Sequence, residues 1–185
     1  MTGFAEGNRA GWNLIAPRRD GIAVERFRAG EVTLADFERE LAGDVTGRRV
    51  VQLACSYGDL TAFARMVAAR LRPGGAVLLC DHHPAWEVLA VREPGRLAVA
   101  GDYFGRGRPN RQQDDAKRPE GARGQAGAPE LSMFVWPVSD VVMALTGAGL
   151  RLDAFREAPE PALYAGLGDT AGALPAYYVI KASKH

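Results

Sequence analysis

The feature that most constrains this chain is how little of it separates two apolar runs. Arg48–Cys55, with its Val50-Val51-x-Leu53 core, fits a strand buried on both faces and leads to a turn at Gly58. Leu60, Phe63, Ala64, Val67, Ala68 and Leu71 then recur at helical spacing over Asp59–Leu71. Arg72-Pro73-Gly74-Gly75 stops that helix, and Ala76–Cys80 is a second apolar strand. Strand, glycine turn, helix and strand make a right-handed βαβ unit of about thirty residues. The interval between Gly58 and the Pro-Gly-Gly stop has room for one helix.

Upstream, Asn8–Leu41 is expected to be helical, with Trp12 and Ile15 before a break at Pro17. Ile22, Val24 and Phe27 follow, then a clearer helix at Leu34, Phe37 and Leu41, with Thr33 as N-cap and Gly43-Asp44 as its end. Downstream, Ala85–Leu97 is amphipathic without a settled period, and residues 105–130 form a polar loop rich in Gly, Pro, Arg and Gln. The spacing predicts a helix over Ser139–Ala148, with Ser139 as N-cap, Val142 and Leu145 facing inward and Gly149 as the stop. Leu150–Glu157 and Ala176–Ala182 are strands, joined by the proline-bearing linker Ala158–Pro175. The whole, 1–185, is one α/β domain with an N-terminal helical segment at 1–47 and a mobile loop at 105–130.

A chain of 185 residues can bury one core, and its formal net charge of +1 gives no whole-molecule attraction to nucleic acid or membrane. The basic residues of the loop alternate with Asp114, Asp115 and Glu120, which argues against a nucleic-acid arm. No apolar run has signal-peptide or bilayer-spanning character, so a cytoplasmic protein is expected. The two cysteines, Cys55 and Cys80, sit in apolar runs and are expected as buried thiols. No metal site is expected, because no further His or Cys stands at ligand spacing.

Chemistry concentrates at Asp81-His82-His83-Pro84, the carboxyl end of a buried strand, where open α/β sheets place ligands. A carboxylate beside an imidazole suits acid–base work near neutrality; alternatively, Asp81 caps backbone N–H groups and one histidine packs on Pro84. Adjacent residues diverge at a strand end, so His82 and His83 should not face one pocket, and the same holds for Tyr177 and Tyr178. Glu157 ends another strand as a second carboxylate or as a solvated strand end. Trp86, Tyr103, Phe104 and Trp136 either wall a pocket or serve as core and dimer contacts. Cys55, near a helix N-terminus, is placed where a thiolate would be stabilised, though no base accompanies it. Asp81 also follows the glycine turn by about twenty residues, the spacing of a ribose-binding carboxylate.

Leu53-Ala54-Cys55-Ser56-Tyr57-Gly58 resembles the Leu-x-Cys-x-x-Gly turn of class I S-adenosylmethionine-dependent methyltransferases of bacterial type. Leu71-Arg72-Pro73-Gly74-Gly75 is similar to the stop before family strand five, and Asp81-His82-His83-Pro84 to that strand's His-Pro ending. Trp136–Glu157 resembles the helix and strand six, and Pro175–Lys184 resembles strand seven. The resemblance implies a truncated Rossmann-like methyltransferase fold: a mostly parallel sheet of about four strands with flanking helices, in the order one, five, seven, six, with strand seven reversed. It implies Ala54, Cys55 and Gly58 as the cofactor wall, with Tyr57, Trp86, Tyr103 and Trp136 around the substrate.

Family strands two, three and four, about ninety residues, have no counterpart here. They carry the ribose and adenine contacts. The expectation is therefore a cofactor-independent enzyme of small-molecule, specialised-metabolite biosynthesis, such as a cyclase or isomerase, using Asp81, His82, His83 and Glu157. The alternatives are a functional S-adenosylmethionine-dependent methyltransferase with a compact or partner-completed site, and a non-catalytic partner subunit. Strand one, stripped of its neighbour, predicts a homodimer or a covering helix.

Overall fold

The computed structural model describes residues 2–15, 36–45, 55, 58–111 and 131–185. The first expected strand lies outside the described residues except for Cys55, as do Thr33, Ala54, Tyr57 and most of the polar loop. In chain order the elements are helices α1 (Thr2–Ile15), α2 (Asp36–Ala42) and α3 (Leu60–Arg70), strand β1 (Ala76–His82) and helix α4 (Pro84–Val88). Strands β2 (Leu89–Glu93), β3 (Arg96–Val99), β4 (Pro109–Arg111) and β5 (Ser132–Phe134) follow. Helix α5 (Val138–Gly147), strand β6 (Leu150–Ala158), a 3-10 segment (Pro161–Ala173) and strand β7 (Tyr177–Lys184) complete the chain.

Local chemistry explains most boundaries. Asp59 caps α3 by accepting the Ala62 N–H at 2.9 Å, and the helix buries Leu60, Ala64, Val67 and Ala68. Gly43, Gly74 and Gly149 end α2, the turn after α3 and the turn after α5 at φ of 69°, 74° and 86°, where a side chain would be strained. The turn before β1 is fastened to the last strand: Gly74 donates to the Lys184 carbonyl at 2.8 Å and Lys184 donates back to that of Gly75 at 2.9 Å.

The main sheet has the order β1-β7-β6, and β7 is antiparallel to both neighbours. Neighbours five, seven and six and the reversed last strand follow the resemblance. Both described pairings are antiparallel, and the strand expected to add a parallel pairing lies outside the described residues. Among the described residues there are three strands in this sheet, both pairings antiparallel, because β7 inserts between two strands that run the same way. One face packs Val77, Leu79, Ile180 and Ala182 beneath α3 and α5. On the other side α2 lies against β1 and β7, and Lys181 donates to the Leu41 carbonyl at 2.8 Å. Helix α1 is joined to β5 by two reciprocal bonds between the Asn8 amide and the Ser132 backbone, 2.7 and 2.8 Å.

Other expectations are revised. Ala85–Leu97 is the short helix α4 and most of the β2–β3 hairpin. The start of the expected loop is strand: β4 pairs with β5, whose Met133 and Phe134 are buried, a partnership local polarity cannot reveal. Helix α5 begins at Val138 with Pro137 as its N-cap, and no cap bond comes from Ser139. Its inward residues are Val141 and Leu145, with Val142 half-buried. The linker Ala158–Pro175 contains the 3-10 segment, kinked at Gly168. None of the described helices is long and apolar enough to cross a membrane.

Candidate active site

Strands β1 and β6 end where β7 begins. The register sets Asp81, Tyr178 and Glu157 side by side across the three strands, so the three share a face. Alternation sends His82 and Tyr177 to the opposite face, and His83, one residue past β1, returns to the first.

There the Nε2–H of His83 donates to Glu157 Oε1 at 2.8 Å. The Nδ1 of the same ring accepts the Ala85 N–H at 3.1 Å, because His83 is the N-cap of α4. Both ring nitrogens are thus engaged, with Nδ1 the acceptor and Nε2 the donor. The His83 side chain is 8% exposed and that of Glu157 is 47% exposed. Burial pushes the imidazole below its ordinary range and outweighs the opposing pull of the Glu157 charge. A neutral imidazole therefore holds a carboxylate that reaches solvent. The imidazole leaves no ring nitrogen open, whereas the Glu157 carboxylate is the member of the pair that reaches solvent.

Asp81 serves the backbone. Its Oδ2 accepts the Cys55 N–H at 2.8 Å and its Oδ1 the His82 N–H at 2.9 Å. Cys55 Sγ lies 3.3 Å from the Tyr178 hydroxyl. Burial, and then the Asp81 charge, push the Cys55 thiol well up, and burial likewise raises the Tyr178 phenol. The expected thiolate-stabilising environment is corrected: α3 starts only at Leu60, Asp59 already caps it, and a carboxylate stands beside the sulfur.

A cavity of about 10 Å³, the size of one water, lies among Cys55, Asp81, His82, Glu87, Trp136 and Tyr178. Both oxygens of Asp81, the carboxylate at the spacing of a ribose ligand, lie on backbone N–H groups. A Cβ at Gly58 would meet nothing described within 4 Å. A larger cavity, about 460 Å³, opens beside the first turns of α3 and α5, and Trp136 borders both.

The remaining expected residues separate. The His82 ring stacks on Trp86 and Tyr177, with centroids 4.4 and 5.0 Å away, and its Nδ1 is 3.8 Å from the buried Glu87 carboxylate. Trp86 is core: it packs with Tyr164 and Ala176 and donates to the Leu163 carbonyl at 3.2 Å. Tyr103 meets Phe104 edge-on at 4.9 Å and lines neither cavity. Ala54 and Tyr57 lie outside the described residues. Cys55 and Cys80 are free thiols, the first buried and the second half-buried. Among the described residues no three His, Cys, Asp or Glu side chains are grouped to hold a metal ion.

Sequence reasoning missed Glu87, which no periodicity marks as buried, and the Arg106–Asp140 ion pair at 2.5 and 3.1 Å. It also missed the Cys55–Tyr178 contact, which joins residues 123 apart.

No family model matches the sequence, and no curated protein matches it. Among solved structures, it is similar to an S-adenosylmethionine-dependent methyltransferase from Mesorhizobium loti. The TM-score is 0.47 at 17% identity, covering 77% of this chain and 68% of that one. It is also similar to a putative S-adenosylmethionine-dependent methyltransferase from Listeria monocytogenes. There the TM-score is 0.46 at 14% identity, over 80% of this chain and 66% of the other. The chain spans about two thirds of the length of either.

Proposed function

We propose that this chain is a methyltransferase-like protein that acts on a small organic molecule by acid–base assistance, as a cyclase or isomerase, without a bound cofactor. The observation that carries the reading is the 2.8 Å bond from His83 Nε2–H to Glu157 at the carboxyl ends of β1 and β6. Glu157 takes a proton from the substrate and returns it at a second position, so the reaction needs no other reactant. The His83 N–H stays on the carboxyl oxygen throughout and holds its orientation. Asp81, spent on the Cys55 and His82 N–H groups, supports the reading as a brace rather than a ribose ligand. So does the single helix between Gly58 and β1.

Calorimetry with S-adenosylmethionine and its demethylated product tests this. No heat at millimolar concentration is the expected result, and micromolar binding of either would overturn it. The order β1-β7-β6 with β7 reversed favours, as a second reading, a functional methyltransferase whose cofactor site a partner completes. That reading predicts cofactor binding only in the complex. A stoichiometric complex from the native host that binds neither cofactor nor substrate would make the chain a non-catalytic subunit. The proposed assembly is a homodimer, and a monomer by sedimentation at micromolar concentration would count against it.

A further inference from the structure

The His83 ring stands between two elements, and each of its nitrogens is committed to one of them. Nδ1 accepts the Ala85 N–H at 3.1 Å as the N-cap of α4, and Nε2–H donates to Glu157 of β6 at 2.8 Å. Only the neutral imidazole can do both, because the imidazolium has a donor at each nitrogen and no acceptor. A proton added at Nδ1 would face the Ala85 N–H, donor against donor.

The main chain gives no way around this clash. The His83 N–H is held by the Ala176 carbonyl at 2.8 Å, and the His83 carbonyl accepts the Trp86 N–H at 2.9 Å. The Nε2 side gains on protonation, since the bond to Glu157 then joins two charges. The ring is buried and Glu157 reaches solvent, so the way out for an imidazolium runs along that carboxylate.

Among the described residues, Glu157 from β6 and the Tyr178 phenol from β7, edge-on at 6.3 Å, are the titratable groups that face the ring from other elements. Burial raises the Tyr178 phenol, so it stays neutral. On the stretch of His83 itself, Asp81 sits on the Cys55 and His82 N–H groups, and His82 lies 3.8 Å from Glu87. Burial holds the His83 imidazole below its ordinary range, so the cap is intact at neutrality and is lost only on acidification. The helix it caps has five residues and carries the buried Glu87 and Trp86. Trp86 is seated against Tyr164 and Ala176, with its indole N–H on the Leu163 carbonyl.

We infer that His83 is a pH latch on α4. Neutral, it caps the helix; protonated, it releases the Ala85 N–H, swings toward solvent on Glu157 and loosens the turn that seats Trp86. The latch goes beyond the proposed acid–base activity, and its test requires neither turnover nor S-adenosylmethionine.

The His83 ring-proton resonances give its titration, while amide exchange and the Trp86 indole resonance of ¹⁵N-labelled protein report on α4. The expected result is an about tenfold fall in Ala85 protection and a shift of the Trp86 resonance, both at the His83 midpoint, with the β7 amides still protected. His83→Asn, which keeps a capping acceptor and does not titrate, should hold Ala85 protection constant. His82→Phe, which keeps a ring against Trp86 and Tyr177, should leave the transition in place. Unchanged Ala85 protection through the His83 titration, loss of protection across β7 at the same pH, a transition surviving in His83→Asn, or one abolished in His82→Phe would each overturn the inference.

Discussion

The Asp81 carboxylate and the backbone N–H of Cys55 are joined at 2.8 Å across 26 positions of sequence. With the second oxygen on the His82 N–H, one side chain ties the end of the glycine turn to the end of β1. Asp81→Ala would remove the acceptor of the buried Cys55 N–H and should cost about 1–3 kcal/mol, the range for a buried donor left unpaired. Asp81→Asn, which keeps one acceptor, should cost roughly half as much. Urea denaturation midpoints measure both, and equal losses would show that the acceptor geometry is not what matters.

His83 predicts a pH dependence. Its folded-state value lies below the ordinary 6.5, so on acidification the unfolded chain takes up the proton first. Stability should therefore be full above about 6.5 and decline as pH falls from there through the lowered native value. His83→Asn retains an acceptor for the Ala85 N–H but does not titrate, and it should flatten that decline in thermal melts recorded from neutral to mildly acidic pH. Glu157→Gln keeps an acceptor and removes the opposing charge. The imidazole should then titrate at still lower pH, read from its ring-proton resonances.

The thiols of Cys55 and Cys80 should be inert in the folded protein. Burial raises both, with Asp81 adding to the first and Glu38 to the second. A disulfide reagent at mildly alkaline pH should modify them at least about 100-fold more slowly than in urea, since only the thiolate reacts. Rapid modification of Cys55 in the native state would contradict its placement.

Gly166 approaches the β2–β3 hairpin closely: a Cβ there would stand 2.6 Å from Val91 Cγ1, and the Gly166 carbonyl accepts the Gly95 N–H at 2.8 Å. Gly166→Ala should cost about 1–3 kcal/mol as overpacking. Adding Val91→Ala should recover part of that loss, and strict additivity in the double-mutant cycle would deny the contact.

The sequence by itself determined what is local. Helix α3, the glycine stops at 43, 74 and 149, and strands β1, β6 and β7 follow from apolar period and glycine's tolerance of positive φ. The divergence of His82 from His83, and of Tyr177 from Tyr178, was legible for the same reason, since alternation is a property of one strand. Only the tertiary structure decided which partners those residues meet. It set β7 between β1 and β6, making both pairings antiparallel, and paired β4 with a strand more than twenty residues away. It placed the Asp81 carboxylate on the Cys55 and His82 N–H groups, set Trp86 in the core, and brought Glu157 onto His83. Strand pairing and burial join residues far apart in the chain, and a local pattern contains no information about which distant backbone or carboxylate will arrive beside it.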